Sequence, residues 1–178
     1  MLTKNFYEYL GAFFRRTGAD VEYRAQLTKF DGEKISHNIS MSSALPFSLL
    51  GSMVHPKCVP IGSEQYWYGT WFGTGTKPAT PDDYTMESPI TDGSLSFYNA
   101  SSVSTVSNED HFLMSVTYDI TNTSQEAIAL SEFGVFSINL SKGIWQCLLD
   151  HTVLENPIVI PAGQTVPVNY AIKFPYGA

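Results

Sequence analysis

Between Val166 and Phe174 every second residue is a large apolar one: Val166, Val168, Tyr170, Ile172 and Phe174. A repeat of two places all five on one face of an extended strand, whereas a helix would scatter them around its circumference. The same period recurs upstream, where Phe112, Met114, Val116, Tyr118 and Ile120 alternate with Leu113, Ser115, Thr117 and Asp119 before an Asn122-Thr123-Ser124 turn. Ile128 to Leu140 reads as a further strand, closed by Ser141-Lys142-Gly143 and followed by Trp145, Cys147, Leu149 and Val153. Ile158-Val159-Ile160 then leads through Pro161-Ala162-Gly163-Gln164 into the last ladder. Strands at roughly 8–12-residue spacing with turn signals between them predict a mainly β chain. The expected architecture is an antiparallel β-sandwich, Ig-like or jelly-roll-like.

The N-terminal segment has a different period. Leu2, Phe6, Leu10 and Phe13 lie on one helical face, so the spacing predicts an amphipathic helix from Leu2 to Arg16. Thr3 is its expected N-cap, and Arg15 and Arg16 meet the negative end of its dipole before Gly18 stops it. Residues 1–17 therefore read as an N-terminal helical segment, a docking arm or equally a helix lying on its own sandwich, and 18–178 as a single β-sandwich domain. Val21 to Thr28 and Ile35 to Ile39 are expected strands around a turn at Phe30 to Lys34. Met41 to Pro60, interrupted by Pro46, Gly51, Pro56 and Pro60, fits a short helix or an irregular crossing equally. Tyr66 to Phe72 is an aromatic strand, Gly73 to Tyr84 a long polar loop, and Leu95 to Val106 a Ser-rich pair of weak strands.

Composition narrows the function. Charged residues make up 15% of the 178, against about a quarter in an ordinary soluble domain, while aromatics reach 13% and the net charge is −7. Such a chain is too aromatic for disorder and too acidic to bind nucleic acid through phosphate charge. No apolar run reaches the roughly 18 residues of a membrane span, and the opening Met1 to Glu8 lacks the pattern of an export signal. Cys58 and Cys147 are expected reduced and buried. No HExxH or G-x-S-x-G occurs among the residues around His37, His55, His111 and His151, so no catalytic residue, metal or cofactor is expected. His55 and Cys58 are a weak pair in a proline-rich connector, and His151 reads as a hydrogen-bonded histidine at a sheet margin.

Three features invite chemistry. The glycines of Gly73-Thr74-Gly75-Thr76 could aim N–H groups at an anion, but Lys77 precedes Pro78 and no helix start follows, so an extended loop is expected. Asp82, Asp83 and Glu87 carry hard oxygens without the order of an EF-hand, which favours a solvated acidic turn or an N-cap for a helical turn from Pro81. The cluster Tyr66, Trp67, Tyr68, Trp71 and Phe72 fits a core strand, a protein interface or a sugar-stacking platform, and alternation prevents all of it from sharing one face.

Gly73-Thr74-Gly75-Thr76, Pro81-Asp82-Asp83-Tyr84 and Glu87-Ser88-Pro89-Ile90 together resemble a signature common in structural proteins of tailed-bacteriophage particles. The resemblance continues in order through Tyr118 to Thr123, Ser131-Glu132-Phe133-Gly134-Val135-Phe136, Leu148-Leu149-Asp150-His151, Pro161 to Gln164 and Val168 to Ile172. It spans about Gly69 to Phe174, with His151 standing where an arginine is usual. It implies a non-enzymatic virion component, a head-decoration, collar or tail protein, made in the host cytoplasm. The implied partners are further copies of the chain and other virion subunits, with neither nucleic acid nor membrane. The expected contacts are Phe6, Leu10, Phe13, Arg15 and Arg16 of the arm, Tyr66, Trp67, Trp71 and Phe72 of the aromatic strand, and Asp82, Asp83, Tyr84 and Glu87 of the loop. An arm held by charge should loosen at raised salt. The competing expectation is a carbohydrate-binding module or adhesin using Tyr66, Trp67, Trp71 and Tyr84 to hold a glycan.

Overall fold

The computed structural model describes residues 1–8, 24–38, 69–97, 100–136 and 147–175. The described chain is mainly β, and every strand pairing is antiparallel. β1 (Arg24–Thr28) and β2 (Lys34–Asn38) form a hairpin, as the alternation expects. Its turn is closed by Lys29 N–H to the Glu33 carbonyl at 2.9 Å, and Gly32 adopts a φ of 85°.

β3 (Gly69–Gly73), β7 (Ile128–Phe136) and β8 (Leu148–Ile160) make a sheet in the order β3-β7-β8. In the other large sheet β6 (His111–Asn122) is central. β9 (Thr165–Pro175) runs along one edge of it, while β4 (Leu95–Ser96) and β5 (Ser102–Ser107) follow each other along the opposite edge. Where the sequence suggests two strands between Leu149 and Ile160, β8 is continuous. Its register jumps from Glu132↔Val153 to Leu130↔Ile158, so that residues 154–157 bulge opposite Ser131. Pro157 sits in that bulge, where its missing N–H breaks no ladder bond.

Period two decides burial. Met114, Val116, Tyr118 and Ile120 of β6 and Val168, Tyr170 and Ile172 of β9 share one apolar cluster with Phe72, Leu130, Phe133, Val135, Leu149 and Ile160 from the other sheet. Phe72 meets Tyr118 edge to face at 5.5 Å, and Phe133 stacks on Tyr170 at 5.6 Å. The Tyr118 hydroxyl donates to Thr70 Oγ1 at 2.7 Å, so its burial leaves no orphan donor. Each such fully buried side chain stabilises by about 1.5–3 kcal/mol. Trp71, on the opposite face of β3, joins Met86, Phe136 and Leu148 in a second cluster. Both faces of β3 are therefore buried, which is how an aromatic pair of opposite parity remains in the interior.

The N-terminus departs from expectation. Leu2 bridges Asp150, Thr3 N–H donates to the Leu149 carbonyl at 3.0 Å, and His151 N–H donates to the Met1 carbonyl at 2.9 Å, so residues 1–3 extend along β8 instead of opening a helix. Only residues 4–8 are helical in the described chain. The Thr3 hydroxyl does not cap them; it donates to the Leu148 carbonyl at 2.6 Å. The sheet edge outcompetes the cap because it takes the Met1 ammonium, the Thr3 N–H and the Thr3 hydroxyl together. Leu10, Phe13, Arg15 and Arg16 lie outside the described residues, as do Tyr66 and Trp67. Among the described residues no helix is long and apolar enough to cross a membrane.

Candidate functional site

Alternation along β7 turns Phe133 and Val135 towards the large cluster, leaving Glu132, Gly134 and Phe136 for the other face, under the loop of residues 74–90. A fully buried carboxylate is costly unless donors surround it. Glu132 has four. Its Oε1 accepts from Glu87 N–H at 2.5 Å and from His151 Nε2 at 2.9 Å, and its Oε2 from Ser88 N–H at 2.9 Å and Gly75 N–H at 3.3 Å.

His151, on β8 opposite Gly134, is the pivot. Its Nδ1 donates to Asp83 Oδ2 at 2.6 Å while Nε2 donates to Glu132, and only 3% of the residue is exposed. Two carboxylate acceptors require two N–H donors, so the ring is an imidazolium. Burial by itself would lower its pKa, but the hydrogen bonds and charges of Glu132 and Asp83 outweigh burial and hold it above the ordinary histidine value. Burial would raise the Glu132 carboxyl, yet His151 and the Ser88 and Glu87 amides hold it below the usual range. The Asp83 carboxyl is likewise lowered against burial, by Thr80 and His151. Asp83 also accepts from Thr80 N–H at 2.7 Å and from the Thr80 hydroxyl at 2.8 Å, which fixes the turn at Pro81 that the sequence suggests.

The glycine-rich loop now has a physical explanation. A Cβ at Gly75 would stand 2.5 Å from Glu132 Oε2, and one at Gly73 2.5 Å from the same oxygen and 2.6 Å from the Ser88 carbonyl. Glu87 Oε2 accepts from Thr76 N–H at 2.7 Å and Lys77 N–H at 2.8 Å. The loop is thus an anion cradle whose anions are the chain's own carboxylates. Its other end is laced to β3 through Thr74 N–H to the Ser88 carbonyl and Ile90 N–H to the Phe72 carbonyl, both 2.9 Å.

Beside this clamp, buried Asp150 accepts from the Tyr170 hydroxyl and from Thr152 Oγ1 at 3.1 Å. The Met1 ammonium lies 3.2 Å from Asp150 Oδ1 and donates to Thr152 Oγ1 at 3.0 Å. Burial, reinforced by the Asp150 charge, pushes the Tyr170 phenol well above its ordinary value.

Chemically, the arrangement holds shape. Both imidazole nitrogens are engaged, so the ring has no free nitrogen to take a proton from a substrate. Among the described residues no group of three or more His, Cys, Asp or Glu is placed to hold a metal ion. Of the expected contact residues, Phe6, Trp71 and Phe72 are buried by the chain itself, because each fills an apolar cluster. Asp83 is drawn inward by His151 instead of standing in a solvated turn. Asp82 stays exposed and pairs with Lys4, Glu87 caps the loop, and Tyr84 is 41% exposed. The sequence reading misses Glu132, Asp150 and Tyr170. The available signal was an acid inside the apolar run Ala129-Leu130-Ser131-Glu132-Phe133-Gly134-Val135-Phe136, since such a residue is buried only when paired.

Comparison of the chain with protein-family models, with curated proteins and with solved structures returns no match.

Proposed function

We propose that this chain is a non-enzymatic structural subunit of a tailed-phage virion, a head-decoration, collar or tail component, built as a β-sandwich from its two larger sheets and assembling with copies of itself and with other virion proteins. One observation carries the reading. Residues of the phage-like motif, Gly73, Gly75, Asp83, Glu87 and Glu132, converge on one another, on backbone N–H groups and on His151, which stands where the motif usually has an arginine. Their common task is to hold a long loop rigid against a sheet, as a subunit needs when it presents a loop to a neighbour. The low charged fraction of 15% suits surfaces that become covered, where lysine and glutamate are disfavoured. The apolar cluster shared by the two sheets supports the sandwich.

Mass spectrometry of purified particles from a host producing this chain tests the proposal. The chain should be recovered at fixed stoichiometry to the other particle proteins after high-salt washing and gradient banding. Its absence from the particles, with the soluble protein instead retained on a glycan array, would replace this reading with the carbohydrate-binding one.

A further inference from the structure

The loop of residues 74–90 is fastened in two unlike ways. Its ends are held by backbone groups: Gly75, Glu87 and Ser88 N–H donate to Glu132, Thr76 and Lys77 N–H donate to Glu87, and Ile90 N–H donates to the Phe72 carbonyl. Met86 adds an apolar anchor among Trp71, Phe136 and Leu148. The tip, residues 78–85, is tied differently. Asp83 accepts from His151 Nδ1, Lys4 N–H donates to the Pro81 carbonyl at 2.7 Å, and Tyr84, 41% exposed, lies beside Gly32. Lys4 Nζ also pairs with Asp82, but both side chains stand open to solvent, so the pair is weak. The bonds from Thr80 to Asp83 lie inside the tip and move with it.

His151 holds both of its carboxylates only as a cation, because a neutral imidazole has one N–H and one lone pair. Once the ring loses a proton, one carboxylate faces that lone pair. Asp83 has the shorter bond, 2.6 Å against 2.9 Å, yet its side chain is 15% exposed and a small movement of the tip hydrates it. The Glu132 side chain is 0% exposed, and withdrawing it would leave the Gly75, Glu87 and Ser88 N–H groups without their acceptor. The neutral ring therefore keeps its Nε2 proton on Glu132 and turns the Nδ1 lone pair on Asp83. Among the described residues the other charged groups bordering the ring are Lys77, Asp82 and Glu87 of the loop, the Met1 ammonium and Glu155. Met1 is engaged by Asp150, Asp82 by Lys4, and Glu87 by the Thr76 and Lys77 amides.

We propose that residues 78–85 form a pH-operated flap: when His151 releases its Nδ1 proton to solvent, Asp83 leaves the ring and the tip opens, while the two ends of the loop stay docked on Glu132. Glu132 and Asp83 hold the ring's pKa above 6.5, so the flap is shut below that pH and opens as pH rises through the folded value. Glu132 keeps its bond to Nε2 and its backbone donors, so the loop remains rooted on β7. Opening is a property of the free chain and stands whether or not the loop meets a virion neighbour.

Nuclear magnetic resonance of the isotope-labelled full chain, titrated from about pH 6 to about pH 9, tests it. Both ring nitrogens of His151 should read as protonated at the acid end, and above the midpoint Nδ1 alone should read as bare. The amide signals of Asp82, Asp83 and Tyr84 should shift with that same midpoint, whereas those of Gly75, Glu87 and Ser88 should not. Asp83→Ala should leave the tip open at the acid end, raising hydrogen exchange at Asp82 and Tyr84 at least about tenfold, and should lower the His151 midpoint by removing one of its two counter-charges. A proton lost from Nε2 first overturns Asp83 as the part that leaves. Tip and end amides that shift together overturn the flap, since the loop then lets go as a whole. An Asp83→Ala tip as protected as the parent's overturns the bond to His151 as its fastening. A ring that stays doubly protonated to the alkaline end, with the tip still, overturns the switch outright.

Discussion

Glu132→Gln changes one oxygen to an amide and keeps the volume, so it isolates what the charge does. The carboxylate takes four hydrogen bonds, two at each oxygen. Glutamine retains one acceptor oxygen. If that oxygen faces Glu87 N–H and His151, the new amide points at Ser88 and Gly75 N–H groups; if reversed, it points at Glu87 N–H and the imidazolium. Either way donor meets donor, and the His151 cation loses one of its two counter-charges in a site that is almost fully buried. Breaking a buried ion pair from one side costs about 3–5 kcal/mol, and the lost backbone bonds belong to that same figure. Against a total stability of roughly 5–15 kcal/mol this is a large fraction. For a chain of this size it lowers the melting temperature by about 6–20 °C. Circular dichroism melts near pH 6 read the shift, and amide hydrogen exchange at Gly75, Glu87 and Ser88 should rise well before exchange in β6. Glu132→Gln combined with His151→Gln should cost less than the sum of the two single changes, by about 1 kcal/mol or more. A drop under about 2 °C, or strict additivity, would refute the clamp.

The same groups set a pH window. His151 has its pKa raised above 6.5, so its contribution is whole below that value and is lost as pH rises through the folded pKa; Glu132 and Asp83 are lowered from 4.5 and 3.8, so theirs is whole above those values and is lost as pH falls through the folded ones. The melting temperature should therefore be highest between pH 4.5 and 6.5, and melts across about pH 3 to 9 should fall on both sides, with Glu132→Gln flattening the alkaline limb. Gly75→Ala puts a methyl 2.5 Å from Glu132 Oε2 and 2.9 Å from Glu87 Cβ, and should cost about 1–3 kcal/mol in denaturant melts; an unchanged midpoint would show that the cradle does not need glycine. Trp71→Ala empties the second apolar cluster and should destabilise by about 3–5 kcal/mol, whereas full stability with a lost partner would return Trp71 to an interface.

What could be read in advance follows from what period two records. Alternation reports which face of a strand is apolar, and β6 and β9 stand where the alternating runs place them, while β7 starts at Ile128 as expected and the expected end at Leu140 lies outside the described residues. It is silent on partners distant in sequence. Nothing local joins Asp83 to His151 or Glu132 to Gly75, which meet only because β3, β7 and β8 lie side by side under one loop. Helical spacing also misleads over Leu2 and Thr3, because a pattern of apolar positions cannot register the competing edge of β8. The glycine run, expected as an extended loop, keeps the physics that invites an anion: its N–H groups bind anions, and the anions are Glu132 and Glu87.

Salt tests the arm as the means by which this chain would meet its neighbours. An arm using Arg15 and Arg16 against acidic neighbours works through exposed charge, which loses most of its reach when the Debye length falls from about 10 Å to 3 Å between 0.1 and 1 M salt. The described part of the arm is already turned inward, with Lys4 on Asp82 and Phe6 in the core of its own chain. Contacts made through apolar side chains and backbone hydrogen bonds behave oppositely, since salt leaves them intact or strengthens them. Self-association measured across that salt range therefore tests the arm without any substitution. A steep loss of association assigns the contact to the arm, and constant or tightening association refutes an arm held by charge.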